Sequence, residues 1–214
     1  MRMRKKKNLA ARMERCAALW VQKPTHQRGA WLVGETFDRL HLEIGCGKGK
    51  FTAETAKAES DALLVAIERV PEAMVVAMER ALSMELSNLL FIDMDAALLP
   101  EVFAPQEVER IYLNFSDPWP SKRHAKRRLT SPIFLNIYKE ILAPGGEIHM
   151  KTDNVGLFEY SLEQFSACGY DLEQVSKDLH GRGIAGIMTD YEQKFHETDT
   201  PICRCVARLH GENR

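Results

Sequence analysis

Long apolar runs are missing from this sequence. No stretch approaches the roughly 20 consecutive apolar residues that a helix needs to span a bilayer. The basic start, Met1-Arg2-Met3-Arg4-Lys5-Lys6-Lys7, is followed by no signal-peptide core. The expectation is a cytoplasmic protein with no membrane partner. Paired cysteine motifs are missing as well: Cys16, Cys46, Cys168, Cys203 and Cys205 are an odd number with no Cys-x-x-Cys pair. That argues against a disulfide framework and against a metal site, and for reduced thiols. Cys203 and Cys205 alternate within an apolar strand and read as core. There is no internal repeat and no low-complexity tract. With 45% hydrophobic and 28% charged residues over 214 positions, general disorder is excluded and one domain with an ordinary core is implied.

An excess of charge of either sign is also lacking, since the formal net charge is −1. The total conceals a segregation. Seven of the first fifteen residues are Lys or Arg, and a second basic cluster runs Lys122-Arg123-His124-Ala125-Lys126-Arg127-Arg128. Local basic blocks on an otherwise acidic chain read as the footprint of a polyanion.

What organises the chain is Leu42-Glu43-Ile44-Gly45-Cys46-Gly47-Lys48-Gly49-Lys50. Arg39 to Ile44 alternates polar and apolar residues as a strand does, and Phe51 to Lys57 carries helix formers without a breaker. Strand, glycine turn and helix in this order suit a doubly wound sheet, in which glycines let bare backbone close on a ligand. The next strand, Leu63 to Glu68, ends on an acid placed to hydrogen-bond both hydroxyls of a ribose. A dinucleotide fingerprint wants Gly or Ala where this chain has Lys50, and Glu43 would repel a pyrophosphate. The pattern Glu-x-Gly-x-Gly-x-Gly suits instead a ligand with a cationic or amino end, such as the methionine part of S-adenosylmethionine. A nucleotide-dependent oxidoreductase is the weaker reading.

Along the chain, a basic arm leads into a helix over Leu9 to Leu19, outside the βα repeat and able to order only on binding. Pro71 opens a helix whose Met74, Ala77, Met78, Ala81 and Leu82 form a core stripe. The third strand, Leu89 to Ile92, runs into Asp93-Met94-Asp95, of which Asp95, with Asp93 as the alternative, can accept from an adenine amino group. A fourth strand, Arg110 to Phe115, delivers Ser116-Asp117-Pro118-Trp119-Pro120-Ser121 and then the basic cluster. A carboxylate, a stacking surface and a phosphate-binding loop in that order describe a nucleobase site with its backbone clamp. Asp117 is read either as a site carboxylate or as a turn-initiating Asp before Pro. Ser131 is expected to N-cap a helix that ends at Pro144-Gly145-Gly146. The fifth strand, Glu147 to Thr152, stops at Asp153-Asn154, where Asp153 is either a site residue or the N-cap of the helix carrying Leu157, Phe158, Leu162 and Phe165. His149 reads as structural and His124 as part of the phosphate footprint. Tyr170 to Val175 and Ile202 to Leu209 are the last strands, separated by the glycine-rich Gly181-Arg182-Gly183-Ile184-Ala185-Gly186 and by Thr189-Asp190-Tyr191-Glu192.

With Glu43 to Gly49, Glu68, Asp95, Phe115 to Pro120, Arg127-Arg128 and Thr189 to Glu192 in order, the sequence resembles the bacterial tRNA (guanine-N7)-methyltransferase family over nearly its whole length. The Asp-Pro-Trp-Pro loop with its basic tail is the specific part of the likeness. The resemblance implies a class I methyltransferase fold: an α/β, Rossmann-like, doubly wound, mostly parallel seven-stranded sheet with helices on both faces. The basic arm and helix would occupy residues 1–38 and the methyltransferase domain residues 39–214. It also implies S-adenosylmethionine as cofactor and tRNA as partner, with the guanine at position 46 of the variable loop as acceptor. A monomer or homodimer is expected. By the same resemblance Glu43, Gly45, Gly47, Gly49, Glu68, Asp95 and Asp117 would contact the cofactor. Asp153, Thr189, Tyr191 and Glu192 would contact the guanosine, and Arg123, His124, Lys126, Arg127 and Arg128 the RNA backbone. Where the family usually places a lysine directly after Pro-Trp-Pro, this chain has Ser121, with Lys122 one residue later. Asp117 is expected to orient the base and offset charge rather than to act as a general base. The competing readings are another RNA methyltransferase and a non-catalytic RNA-binding module. An adenine-N6 enzyme would show Asp/Asn-Pro-Pro-aromatic instead of Asp117-Pro118-Trp119-Pro120.

Overall fold

A computed structural model describes residues 6–181 and 183–209. The arm residues Arg2, Arg4 and Lys5, and Arg182 of the glycine-rich loop, lie outside the described residues. Seven strands form one sheet: β1 (Arg39–Ile44), β2 (Ala62–Ile67), β3 (Leu89–Ile92), β4 (Val108–Asn114), β5 (Leu142–Thr152), β6 (Tyr170–Ser176) and β7 (Cys203–Leu209). Their order is β3-β2-β1-β4-β5-β7-β6, and only β7 runs antiparallel to its neighbours. The doubly wound architecture expected from the βα alternation is therefore present, with its winding reversed between β1 and β4. That reversal opens a crevice at the carboxyl edge, where such sheets bind ligands.

The elements follow from composition. β2 reads Ala-Leu-Leu-Val-Ala-Ile and is buried at every position, as a central parallel strand covered on both faces must be. On one face α1 (Leu9–Arg15), α2 (Lys50–Ala58) and α3 (Pro71–Ser83) cover Leu64, Ala66, Phe91 and Tyr112. On the other, α4 (Leu99–Val102), α5 (Pro132–Ile141) and α6 (Val155–Ala167) cover Leu42, Val65, Ile111, Ile148 and Met150. A last helix, α7 (Asp190–Glu197), precedes β7. Met74, Ala77, Met78 and Ala81 are core, whereas Leu82 is 41% exposed because it falls on the rim of the stripe.

Four local expectations change. The helix expected over Leu9 to Leu19 is seven residues of α-helix followed by a 3-10 turn, Ala17–Leu19. It lies against α3, with Arg12 donating to Glu79 and Met13, Cys16 and Leu19 buried. Val21 N–H donates to the Phe91 carbonyl at 2.9 Å, so the described part of the arm is tied to the edge strand. Ser131 occupies the N-cap position of α5, but its hydroxyl donates to the Lys126 carbonyl instead of capping. Pro144-Gly145-Gly146 does not end a helix: α5 stops at Ile141, and these residues form an irregularity at the start of β5, where the register against β4 shifts.

The three glycines of the turn after β1 all have positive φ: 85° at Gly45, 58° at Gly47 and 73° at Gly49. Their surroundings differ. A Cβ on Gly45 or Gly47 would meet nothing within 4 Å, whereas one on Gly49 would lie 2.5 Å from the Ala77 Cβ and 2.8 Å from its Cα. Gly49 is therefore required by the packing of α2 on α3. Gly49→Ala should cost about 2–5 kcal/mol in urea unfolding, from left-handed strain plus overpacking. Gly45→Ala and Gly47→Ala should cost about 1–2 kcal/mol from strain alone. Equal losses at all three would contradict this division.

Candidate functional site

Parallel strands deliver their last residues to one edge, and here that edge is acidic. Glu43 near the end of β1, Glu68 just after β2, Asp93 and Asp95 after β3, Asp117 beyond β4 and Asp153 after β5 come together at the carboxyl edge. They play different parts. Glu43 is 2% exposed; its two oxygens accept from Thr52 Oγ1 on α2 at 2.5 Å and Asn114 Nδ2 on β4 at 3.1 Å. Burial, offset in part by these two donors, pushes its carboxyl up to about 7. Glu68 accepts from the Gly47 and Val70 N–H groups, both at 2.9 Å, and so fixes the glycine turn from the neighbouring strand. Asp95 accepts from Ala97 N–H at 3.0 Å and pairs with Arg69 at 2.9 Å. Asp93 makes no side-chain hydrogen bond among the described residues, and burial raises its carboxyl above the usual range against the opposing charge of Arg69.

The turn after β4 is unusual backbone. Phe115 and Trp119 have φ of 52° and 41°, in the left-handed region that costs a residue with a Cβ about 1–2 kcal/mol. Asp117 lies between them, exposed and, among the described residues, without a side-chain hydrogen bond or ion pair. Trp119 is not an open stacking wall: the Arg127 guanidinium lies 4.8 Å from its ring centroid and His124 meets its edge at 5.9 Å. The basic cluster forms a 3-10 segment, Lys122–Arg127, that exposes Lys122, Arg123, Lys126 and Arg127, with Ser121 exposed ahead of it. Arg128 departs from the sequence reading. Its guanidinium is turned inward, donating from Nε to the Pro118 carbonyl at 2.9 Å and from Nη2 to the Trp119 carbonyl at 3.1 Å.

Asp153 is exposed and does not cap α6; Asn154 does, accepting from Leu157 N–H at 2.7 Å. Thr189 and Glu192 are joined in a capping box at the start of α7. Glu192 is 0% exposed and accepts from Lys151 Nζ at 3.0 and 3.1 Å, while His180 Nε2 lies 2.9 Å from it. Both residues therefore use their polar atoms to hold the segment between β6 and β7 on the sheet. Tyr191 faces out at 53% exposure, with its ring 6.3 Å from Phe115. Further contacts place α7 beside the glycine turn: Lys50 donates to Gln193 at 2.6 Å, and Phe195 stacks on Phe115 at 5.8 Å.

Several residues here had no assignment from sequence. Asn114 and Thr52 were read only as strand and helix residues, and their role appears only with Glu43 beside them. Lys151 is a buried lysine whose pKa is lowered by burial and supported by Glu192; the burial follows from a strand paired on both sides, which only the sheet reveals. On the α2 face a cavity of about 300 Å³ is lined by Phe51, Thr55, Tyr112, Asn114, His149 and Lys151, among others, and the Thr55 hydroxyl is buried there without a protein partner. At His149 burial pushes the imidazole down to about 4, and Glu147 lies 2.6 Å away. Among the described residues no group of three or more His, Cys, Asp or Glu could hold a metal ion. No described helix is long and apolar enough to cross a membrane.

A family profile described as a putative methyltransferase matches residues 38–205, a span that opens at β1. A tRNA (guanine-N(7)-)-methyltransferase of Listeria monocytogenes serotype 4b (strain F2365) is 44% identical over 213 residues, covering 98% of this chain and 99% of its own. The protein of the same name from Bacillus subtilis (strain 168) is 44% identical over 206 residues, covering 95% and 97%. Among solved structures, the 16S rRNA methyltransferase KamB superposes with a TM-score of 0.63 at 18% identity over 82% of this chain and 89% of its own. TrmN from Thermus thermophilus gives 0.56 at 21% identity over 81% of this chain and 44% of its own. These last two likenesses establish the class I methyltransferase fold.

The buried Glu43 carboxyl makes a prediction about pH. It ionises at about 7 in the folded protein against an ordinary 4.5, so the native state holds this proton more tightly than the unfolded chain. Its stabilising contribution is therefore complete below 4.5 and is lost as pH rises through about 7. Glu43→Gln should gain on the wild type by roughly 2–3 kcal/mol between about pH 5 and 8 in urea unfolding. A difference that does not change with pH would contradict the assignment.

Proposed function

The chain belongs to the tRNA (guanine-N7)-methyltransferase family, and on that premise we propose that its acceptor is the guanine at position 46 of the tRNA variable loop, bound at the carboxyl edge between the glycine turn and Asp117. The enzyme transfers a methyl group from S-adenosylmethionine to N7 of guanine in tRNA. The observation that carries the site assignment is the convergence of open space in front of Gly45 and Gly47 with an exposed Asp117 in the turn after the neighbouring strand β4, followed by exposed Lys122, Arg123 and Lys126.

The residues present fit the cofactor. The two glycines leave a cradle that any Cβ would fill, and the acids at the strand ends accept from hydroxyl and amino groups but would repel a pyrophosphate. Gly45 and Gly47 would meet the cofactor through backbone, and Gly49 would serve by letting α2 dock. Glu68 would take the ribose hydroxyls, Asp95 or the unengaged Asp93 the adenine amino group, and Glu43 would orient the amino-acid end. When bound, S-adenosylmethionine supplies an electrophilic methyl on a sulfonium.

Guanine N7 carries a lone pair and no proton, so alkylation there needs no general base. What the chain must do is hold the purine in line, and a bound geometry of this kind is worth up to about 7–11 kcal/mol in the best cases. Alkylation at N7 leaves positive charge on the ring. Asp117 would accept from the guanine N1 and amino hydrogens and offset that charge. Glu192, enclosed by Lys151, His180 and Thr189, would support the pocket from behind, while Tyr191 and Asp153 would border it and Ser121 with Lys122 would flank it. Lys122, Arg123, His124, Lys126 and Arg127 would meet RNA phosphates.

Incubation with labelled S-adenosylmethionine and unmodified tRNA, followed by digestion, should yield 7-methylguanosine, and 7-deazaguanine at position 46 should abolish incorporation. Label retained after that replacement would overturn the acceptor assignment. Asp117→Ala should lower turnover by about 10²-fold, the scale of losing one charge-stabilising group. The remaining activity should show no single-carboxylate limb in its pH profile; a limb restored by exogenous base would instead show proton abstraction.

A further inference from the structure

The basic run from Lys122 to Arg128 reads in the sequence as one RNA-facing cluster, but its last member does something else. Arg128 extends its fork to two consecutive carbonyls, those of Pro118 at 2.9 Å and Trp119 at 3.1 Å. The guanidinium carbon lies over the ring of Tyr160 on α6, 4.3 Å from its centroid. Its own backbone is fixed at both ends: its N–H donates to Ala125 and its carbonyl accepts from Ser131 N–H.

The turn it grips is held at its start by the Phe115 N–H, which donates to the Lys151 carbonyl at 2.9 Å, and by the ring contacts of Phe115 and Trp119; its Pro118 and Trp119 carbonyls are held by Arg128. Phe115 and Trp119 are both in left-handed backbone, and Pro118 and Pro120 have no N–H to donate. Asp117, the residue before Pro118, is exposed and has no side-chain hydrogen bond among the described residues, so the backbone of the turn is what directs it. The contact also spans elements, because α6 begins just after Asp153 and Tyr160 lies on it. A planar fork meeting two carbonyls is a geometry that lysine cannot reproduce.

We propose that Arg128 is a positioning residue for methyl transfer, a clamp that fixes the Asp117 turn against α6, and not a contact to the RNA backbone. The inference rests on the reading of Asp117 given above. If the clamp sets where Asp117 points, its loss should slow chemistry and leave tRNA affinity alone. A phosphate contact would do the reverse, weakening binding and lowering its salt slope by about 1.

The test is single-turnover methyl transfer at saturating tRNA and S-adenosylmethionine, together with tRNA binding over a range of salt, for Arg128→Lys, Arg128→Ala, Lys126→Ala and Asp117→Ala. Arg128→Lys keeps the charge and removes the fork, so it is informative even if Arg128→Ala folds poorly. We expect both Arg128 variants to lose about tenfold or more in rate, with tRNA affinity and salt slope within twofold of wild type. Ethylguanidinium should restore part of the rate to Arg128→Ala, and Lys126→Ala should weaken binding and flatten the salt slope. A fully active Arg128→Lys, with Arg128→Ala showing weakened and less salt-dependent binding, would overturn the proposal in favour of a phosphate contact. Should Asp117→Ala be slow while both Arg128 variants are fast, the clamp alone is refuted. Should Asp117→Ala match wild type, the reading of Asp117 fails and takes this inference with it.

Discussion

The carboxylate of Glu43 joins the two halves of the molecule at the place where they would otherwise separate. The winding of the sheet reverses between β1 and β4, which opens the crevice and removes the helix that would have covered it. One oxygen of Glu43 is held by Thr52 at the start of α2 and the other by Asn114 at the end of β4. A buried carboxylate is costly unless its hydrogen bonds are made, so this one enforces the relative position of the glycine turn and the Asp-Pro-Trp turn. Everything that approaches the crevice meets two loops whose spacing is set from beneath.

A buried ion pair does the same for the far wall. Lys151 on β5 and Glu192 on α7 are paired away from solvent, and the carboxylate is completed by His180 and by the Thr189 N–H. The segment between β6 and β7 has few apolar anchors, Ile187 among them, and this polar knot compensates. Removing one member of such a pair costs more than the pair contributes, since the other is left charged and buried. Thr189 and Glu192 therefore have a structural part beside the one proposed at the substrate.

What could be read from sequence was what depends on neighbours along the chain. Strand, glycine turn and helix from Arg39 to Lys57, and the acids at the ends of β2 and β3, are local patterns, and the sheet places them where the βα rhythm implies. What could not be read depends on a partner far away in sequence. Gly49 looks like its two companions until Ala77 appears beside it. Arg128 looks like its basic neighbours until the turn ten residues earlier folds back onto it. Ser131 has the residue type and place of a cap, yet its hydroxyl is taken by Lys126. Asp153 and Asn154 compete for one cap, and the ladder ends so that the amide wins and the acid is left facing outward.

The central claim is that the crevice above β1 and β4 is the cofactor site. Amide hydrogen exchange with and without saturating S-adenosylhomocysteine measures this directly. Slowed exchange is expected at 45–49, 68–70 and 93–97, with 29–38 at the opposite edge of the sheet unchanged. Protection confined to that opposite edge, or binding without any slowing at the glycine turn, would contradict it.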